Sequence, residues 1–316
     1  MSMKHRSFSS AAIALLLAAG SAYAAIDPAL LALVPTDTNI LMGMQVDQAQ
    51  SSAFGQFLLS QAGSNAGLDQ FATATGFDPR RDLKQVLVTS TGKNSGGLVL
   101  GRGVFQTDKL ATAAALSGAA KSTYSGIDIY TPNKSPNGTL AFLNQSTVLI
   151  GDAALIHAAI DRYRSGAPSS NPLGMRANDL SNQYQAWFVT SSVAALNNLP
   201  GASGQIPPGA VQSIIQVAGG LTLGVSAVTV ALEAATRTDQ DAQALVDVAR
   251  FFTSMVQMNR NNDPNAARAA SIVDSASITA SGSVMKLSVA VPEKDLEAMV
   301  TQPKQATTNP AVRRRN

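Results

Sequence analysis

Short runs of alternating apolar and polar residues, each cut off by Gly, Ser, Asn or Pro, recur along this chain of 316 residues. A period of two sends one row of side chains to a core and the next to solvent, and tight connections between such runs join antiparallel neighbours. The clearest case is residues 284–291, where Met285, Leu287, Val289 and Val291 alternate with Lys286, Ser288 and Ala290. Its predicted partner, residues 272–280, lies across a Ser281-Gly282-Ser283 turn. Residues 85–91 and 97–105 flank Gly92-Lys93-Asn94-Ser95-Gly96 in the same way, and 221–225 pairs with 228–235. Further strands are expected at 40–46, 127–131, 139–143, 148–150 and 185–190.

Helical spacing interrupts these runs. Ala242, Leu245, Val246, Ala249, Phe252 and Val256 form one apolar stripe, with Thr238 or Asp239 as N-cap and residues 259–265 as the terminating turn. Other helices are expected near 52–61 and 67–75, from Thr107 to about 117, over 153–164 behind an Asp152 cap, over 211–217 and over 293–300. The fold class is therefore α+β. We read two similar halves, each a mainly antiparallel sheet with helices packed on one face. The Gly/Pro/Ser/Asn-rich stretch SGAPSSNP at 165–172 marks the division. The expected organisation is residues 25–165, a linker at 166–183, and residues 184–300, the halves related by internal duplication.

The ends read differently. Lys4 and Arg6, nine apolar residues at 11–19 and Ala22-Tyr23-Ala24 follow the order of a secretory signal peptide cleaved after Ala24. The apolar run is about half the ~20 residues a membrane span needs. Export to the periplasm or the medium is thus expected, with no transmembrane helix in the mature chain. Residues 301–316 have no apolar period and are expected to be a disordered basic tail. Its Arg313, Arg314 and Arg315 are candidates for weak contact with an anionic surface. Without the leader and this tail, 17 basic residues face 20 acidic ones, so the high isoelectric point belongs to the ends. Nucleic-acid binding, which needs clustered Lys and Arg on a folded face, gains no support.

Chemistry is sparse. No cysteine is present, which removes thiol nucleophiles, thiolate metal sites and disulfides, and with two histidines zinc or copper has no ligand set. No cofactor motif is found. Ser90 and Lys93 match the Ser-x-x-Lys nucleophile pattern, although the motif runs off a strand into a turn instead of opening a helix. His157 and Asp161, one helical turn apart, have the spacing of a carboxylate-oriented imidazole, which is equally that of a solvated helix face.

Three segments carry a resemblance: Val34-Pro35-Thr36-Asp37-Thr38 leading into 40–46, Gly76-Phe77-Asp78-Pro79-Arg80-Arg81-Asp82-Leu83 before a strand, and Gln240-Asp241-Ala242-Gln243-Ala244-Leu245 on a helix. Together they resemble exported bacterial proteins grouped as domains of unknown function. The resemblance implies an envelope location and carries over no catalytic residue. The expected function is that of a non-catalytic envelope binding module, its partner an envelope protein or cell-surface component. The alternative is an envelope-polymer hydrolase using Ser90/Lys93 or His157/Asp161. A third reading is a carrier that holds an apolar ligand between sheet and helices.

Overall fold

The computed structural model describes residues 25–63, 66–92, 96–133, 138–191, 212–261 and 264–301. Lys93, the expected leader and residues 302–316 lie outside the described residues.

In chain order the elements are α1 (Pro28–Leu31), β1 (Ile40–Gln45), α2 (Val46–Gln50), α3 (Ala53–Gly63), α4 (Ala66–Thr75) and α5 (Pro79–Asp82). β2 (Leu83–Ser90), β3 (Leu98–Gly103), α6 (Thr107–Leu116), β4 (Ala120–Tyr124), β5 (Ile127–Thr131), β6 (Thr139–Asn144) and β7 (Thr147–Gly151) follow. Next come α7 (Ala153–Ser165), α8 (Gly174–Ser181), β8 (Ala186–Thr190), β9 (Ile214–Leu223) and β10 (Ala227–Thr236). The described chain closes with α9 (Asp239–Met258), α10 (Pro264–Asp274), β11 (Ser277–Ser281), β12 (Val284–Pro292) and α11 (Glu293–Thr301).

The fold is α+β, and its strands form one 12-stranded antiparallel sheet in the order β11-β12-β10-β9-β8-β1-β2-β3-β7-β6-β5-β4. β1 and β8 pair at its centre, so the strands of the two expected halves share a single sheet. On either side of that pair the connections correspond. β8-β9-β10-β12-β11 repeats the order of β1-β2-β3-β7-β6, and β4 and β5 extend the N-terminal end. The stretch expected as a linker is instead part of the core. It contains α8, whose Ala177 and Leu180 are buried against β8 and β1 because Gly174 begins a helix with an apolar face.

Register decides what each face of the sheet carries. Ile278, Leu287, Leu232, Gly219, Phe188, Met42, Val88, Val99, Ile150 and Leu140 are successive cross-strand partners, forming one apolar row across ten strands. One residue along, on the opposite face, the row reads Thr279, Lys286, Glu233, Ala218, Val189, Leu41, Thr89, Leu98, Gly151 and Thr139. This second face is apolar at the centre and polar toward β11. Over β1, β2, β3 and β7 it is covered by α1, α7 and α8, whose neighbourhood supplies Leu30, Leu33, Ile156, Ile160 and Leu180 to pack with Leu41, Leu87, Leu98, Leu100 and Leu149. The first face, apolar along that row, is covered at one end by α9, through Leu245 and Val246, and at the other by Leu110 of α6. Helices therefore lie on both faces of the N-terminal half, one face more than expected, because both of its faces are apolar.

Several elements differ from the sequence reading. Residues 214–217, expected in a helix, belong to β9; the two ends of α10 fall on residues expected as turn and strand; and α1, α2, α5 and β4 have no counterpart among the expected elements.

Candidate functional site

The apolar face is not covered evenly. Between the ends held by α9 and α6, Met42, Met44, Leu221 and Val230 are 41%, 38%, 37% and 38% exposed, far more than a sheet face packed under a helix. At the α6 end this strip runs into a cleft of about 390 Å³. Its floor is Val86 of β2, Val99 and Gly101 of β3, Val148 and Ile150 of β7, and Leu140 and Phe142 of β6. Its wall is Leu110 of α6 with Phe71, Phe77, Pro79, Leu83 and Phe105. Among the described residues lining it, none carries a polar side chain.

Three phenylalanines of the wall and Phe142 of the floor form a chain of ring contacts. Phe71 meets Phe77 edge-on at 6.3 Å between centroids, Phe77 meets Phe105 at 5.1 Å, and Phe105 meets Phe142 at 5.9 Å. These separations lie within the range where aromatic pairs attract.

The segment Gly76–Leu83 explains how the rings are seated. Gly76 has φ of +72°, a left-handed conformation that glycine adopts freely, and it ends α4. The chain then enters α5, where the Asp78 side chain accepts from Arg80 N at 3.0 Å and Pro79 fixes the first turn. Apolar Phe77, Pro79 and Leu83 point into the cleft while the charged residues between them form a clamp outside. Arg80 bridges Asp78 at 2.8 Å and Asp69 of α4 at 2.7 Å, and Arg81 pairs with Asp82 at 2.7 Å. The Arg80 hydrogen bond holds the Asp78 carboxyl below its ordinary value, and Arg81 does the same for Asp82. The clamp ties α4, which carries Phe71, to the turn that carries Phe77.

Such a lining has no titratable or nucleophilic group and so no means of acid–base or covalent chemistry. It can bind by removing apolar surface from water, at about 0.8 kcal/mol for each buried methylene. Its volume falls within the range of small-molecule sites, but most of those also present a few polar groups that fix orientation. A purely apolar lining suits a hydrocarbon chain.

The residues singled out for catalysis lie elsewhere. Ser90 is the last residue of β2, and its Oγ accepts from Gly92 N at 3.1 Å, whereas the Ser-x-x-Lys chemistry needs the serine at a helix N-terminus. His157 and Asp161 are both on α7. The His157 ring stacks on Tyr124 at 4.1 Å, and Asp161 accepts from the Tyr124 hydroxyl at 3.1 Å. The carboxylate thus serves the tyrosine of a neighbouring strand and raises the tyrosine's pKa. Among the described residues no group of three or more His, Asp or Glu is placed to hold a metal ion, and no helix is long and apolar enough to cross a membrane.

No family model and no curated protein matches this sequence. Among solved structures, crystal form III of TP0453 aligns with a TM-score of 0.51 and 15% identity, covering 87% of this chain and 98% of that one. Crystal form IV of TP0453 aligns with a TM-score of 0.52 and 13% identity over 90% of this chain and 100% of the other. At this identity the likeness is one of fold.

Proposed function

We propose that this chain is a non-catalytic binding protein of the cell envelope, exported and released after Ala24, which holds an apolar chain in the cleft between α6 and the sheet. The observation that carries this reading is a lining without one polar side chain that opens onto an exposed apolar strip. Soluble proteins seldom expose contiguous apolar surface unless it binds something. Export is supported by the leader pattern of Lys4, Arg6, the apolar run at 11–19 and Ala22-Tyr23-Ala24. The basic residues Arg313, Arg314 and Arg315 would then lie where an anionic envelope surface could attract them.

The test is titration of the mature chain with a fluorescent fatty acid, alongside native mass spectrometry for co-purified lipid. Saturable binding is expected, weakened at least tenfold by Val99→Trp, which projects an indole from the half-buried floor into the cleft. Absence of both binding and co-purified lipid would refute the apolar-ligand reading. Covalent labelling by a fluorescent β-lactam that disappears in Ser90→Ala would refute the non-catalytic one.

A further inference from the structure

A second cavity, of about 410 Å³, adjoins the apolar cleft. Phe142 of β6 lines both, and α6 borders both, giving Leu110 to the cleft and Asp108 and Ala111 to the second cavity. Their chemistry differs. The cleft has no polar side chain, whereas Asp108, Asn144, Gln145, Arg164, Tyr130 and Tyr163 border the second cavity. We propose, on the footing of the apolar-chain reading above, that this cavity receives a zwitterionic head group, an ammonium joined to a phosphate, of an amphiphile whose hydrocarbon chain lies in the cleft.

Two residues of the lining carry opposite and unmatched charges. Asp108 stands in the first turn of α6 and Arg164 in the last turn of α7. Among the described residues neither joins an ion pair, with the other or with any third group. Arg164 Nη2 donates to Ser125 O at 2.7 Å, which leaves most of its guanidinium donors for a ligand. The third charged residue of the lining, Asp128, is by contrast already matched, by Lys121 at 2.7 Å and by the Thr123 hydroxyl at 2.9 Å. Tyr130 also lines the cavity; the residue is buried, and its hydroxyl bonds to no described residue.

An uncharged ligand would displace water from Asp108 and Arg164 and give neither a counter-charge, and a singly charged one would match one of them at the expense of the other. A zwitterion matches both. The guanidinium fork suits the oxygens of a phosphate. An ammonium pairs with the Asp108 carboxylate, and the rings of Tyr130, Phe142 and Tyr163 in the same lining attract it further. Phe142 is what favours an amphiphile over a free zwitterion, because a ring shared by the two linings sets head and chain sites side by side.

The experiment is isothermal titration of the full mature chain with lysophosphatidylethanolamine, lysophosphatidylglycerol and a fatty alcohol of one chain length, and with glycerophosphoethanolamine, the head without a chain. Lysophosphatidylethanolamine should bind at least tenfold more tightly than lysophosphatidylglycerol, which has no ammonium for Asp108. Asp108→Asn and Arg164→Gln, both at exposed positions, should each lower the ratio of its affinity to that of the alcohol at least fivefold. Asp108→Asn should also strengthen the binding of lysophosphatidylglycerol. Equal affinity for the two lysolipids, or ratios unmoved in both variants, would overturn the head-group site while alcohol binding upheld the cleft. Failure of the alcohol and both lysolipids to bind would overturn the cleft reading itself. Glycerophosphoethanolamine binding as tightly as the lysolipid would overturn the amphiphile in favour of a free zwitterion.

Discussion

The N-terminal and C-terminal strands of the sheet meet where Gly43 of β1 faces Trp187 of β8, and Gly43→Ala tests how tightly that junction is packed. A Cβ built on Gly43 would lie 2.5 Å from Trp187 Cε2 and 2.9 Å from Nε1, with Cζ2 closer still. Carbon atoms sit comfortably at about 3.5–4.0 Å, so either the indole or the strand must shift by about an ångström. The ring has little room to retreat, being buried within the main core cluster. Overpacking of this kind costs about 1–3 kcal/mol. Against it stands the gain from removing a strand glycine, roughly 0.5–1 kcal/mol. The overlap wins, and a net loss of about 1–2 kcal/mol is expected. For a chain of this size that lowers the melting temperature by roughly 2–8 °C. Urea melts followed by circular dichroism measure the loss, and the emission of Trp187, the chain's single tryptophan, reports whether the ring has moved. In a Trp187→Leu background the same alanine should cost nothing, a coupling of about 1 kcal/mol or more. Parental or higher stability of Gly43→Ala in the presence of Trp187 would show that the junction is slack and refute the reasoning.

Two further outcomes follow from caps and charge. Thr238 Oγ1 accepts from Asp241 N at 3.1 Å at the start of α9, so Thr238→Ala should cost about 0.5–2 kcal/mol in a urea melt, and an unchanged midpoint would deny the cap any role. Asp78 and Asp82 are held below their ordinary value of 3.8, mainly by hydrogen bonds from Arg80 and Arg81. A carboxyl depressed in the folded state stabilises fully above its unfolded value, near 3.9, and that contribution is lost as pH falls through the folded value. Urea midpoints should therefore fall below about pH 4, and less steeply in Asp78→Asn/Asp82→Asn, which is also the less stable protein at pH 7. Parallel pH profiles for the two proteins would count against the clamp.

How much of this was readable depended on whether a segment buries one face or two. β12 was legible because Lys286 and Ser288 face the polar side of the sheet while Leu287 and Val289 face the apolar side. The stripe of α9 was legible for the same reason, as was the cap on Thr238. The end of β9, residues 221–223 paired with β10, was legible too, but its first part was not, because Ile214, Val217, Ala218, Gly219 and Gly220 are all buried, and a strand with two buried faces loses its period. The spacing of Val211, Ile214 and Ile215 then imitates a helix. β4 failed for the opposite reason: as an edge strand with four of its five residues exposed, it carries no apolar row to detect. α10 began at Pro264, a first-turn proline that was read as part of a turn. Of the apolar cleft, only the Gly76–Leu83 segment stood out, and without any sign of its role. The other lining residues are spread from Phe71 to Ile150 and are brought together by strand order alone.

That strand order also accounts for why the cleft lies at one end of the sheet. α6 follows β3 as α9 follows β10, so the two helices occupy corresponding places in the two halves of the strand order, and each packs on the apolar face. α9 has 20 residues and sets Leu245, Val246 and Ala249 against β10, β11 and β12, filling the space beneath it. α6 has 10 residues, TDKLATAAAL, and Leu110 is its one buried side chain. Alanines stand along much of the rest of it, and an alanine reaches too short a distance to fill the gap to the sheet. The floor under α6 is nevertheless as apolar as the floor under α9, with Val99, Val148, Ile150 and Phe142 in place of Leu232, Ala234, Met285 and Leu287. A face meant for water would carry polar residues in that row, as the opposite face does at Lys286 and Glu233. A face meant for α6 alone would be matched by larger side chains on the helix. An apolar floor beneath a helix too short and too small to cover it is the arrangement expected where a third party, an apolar chain, completes the packing.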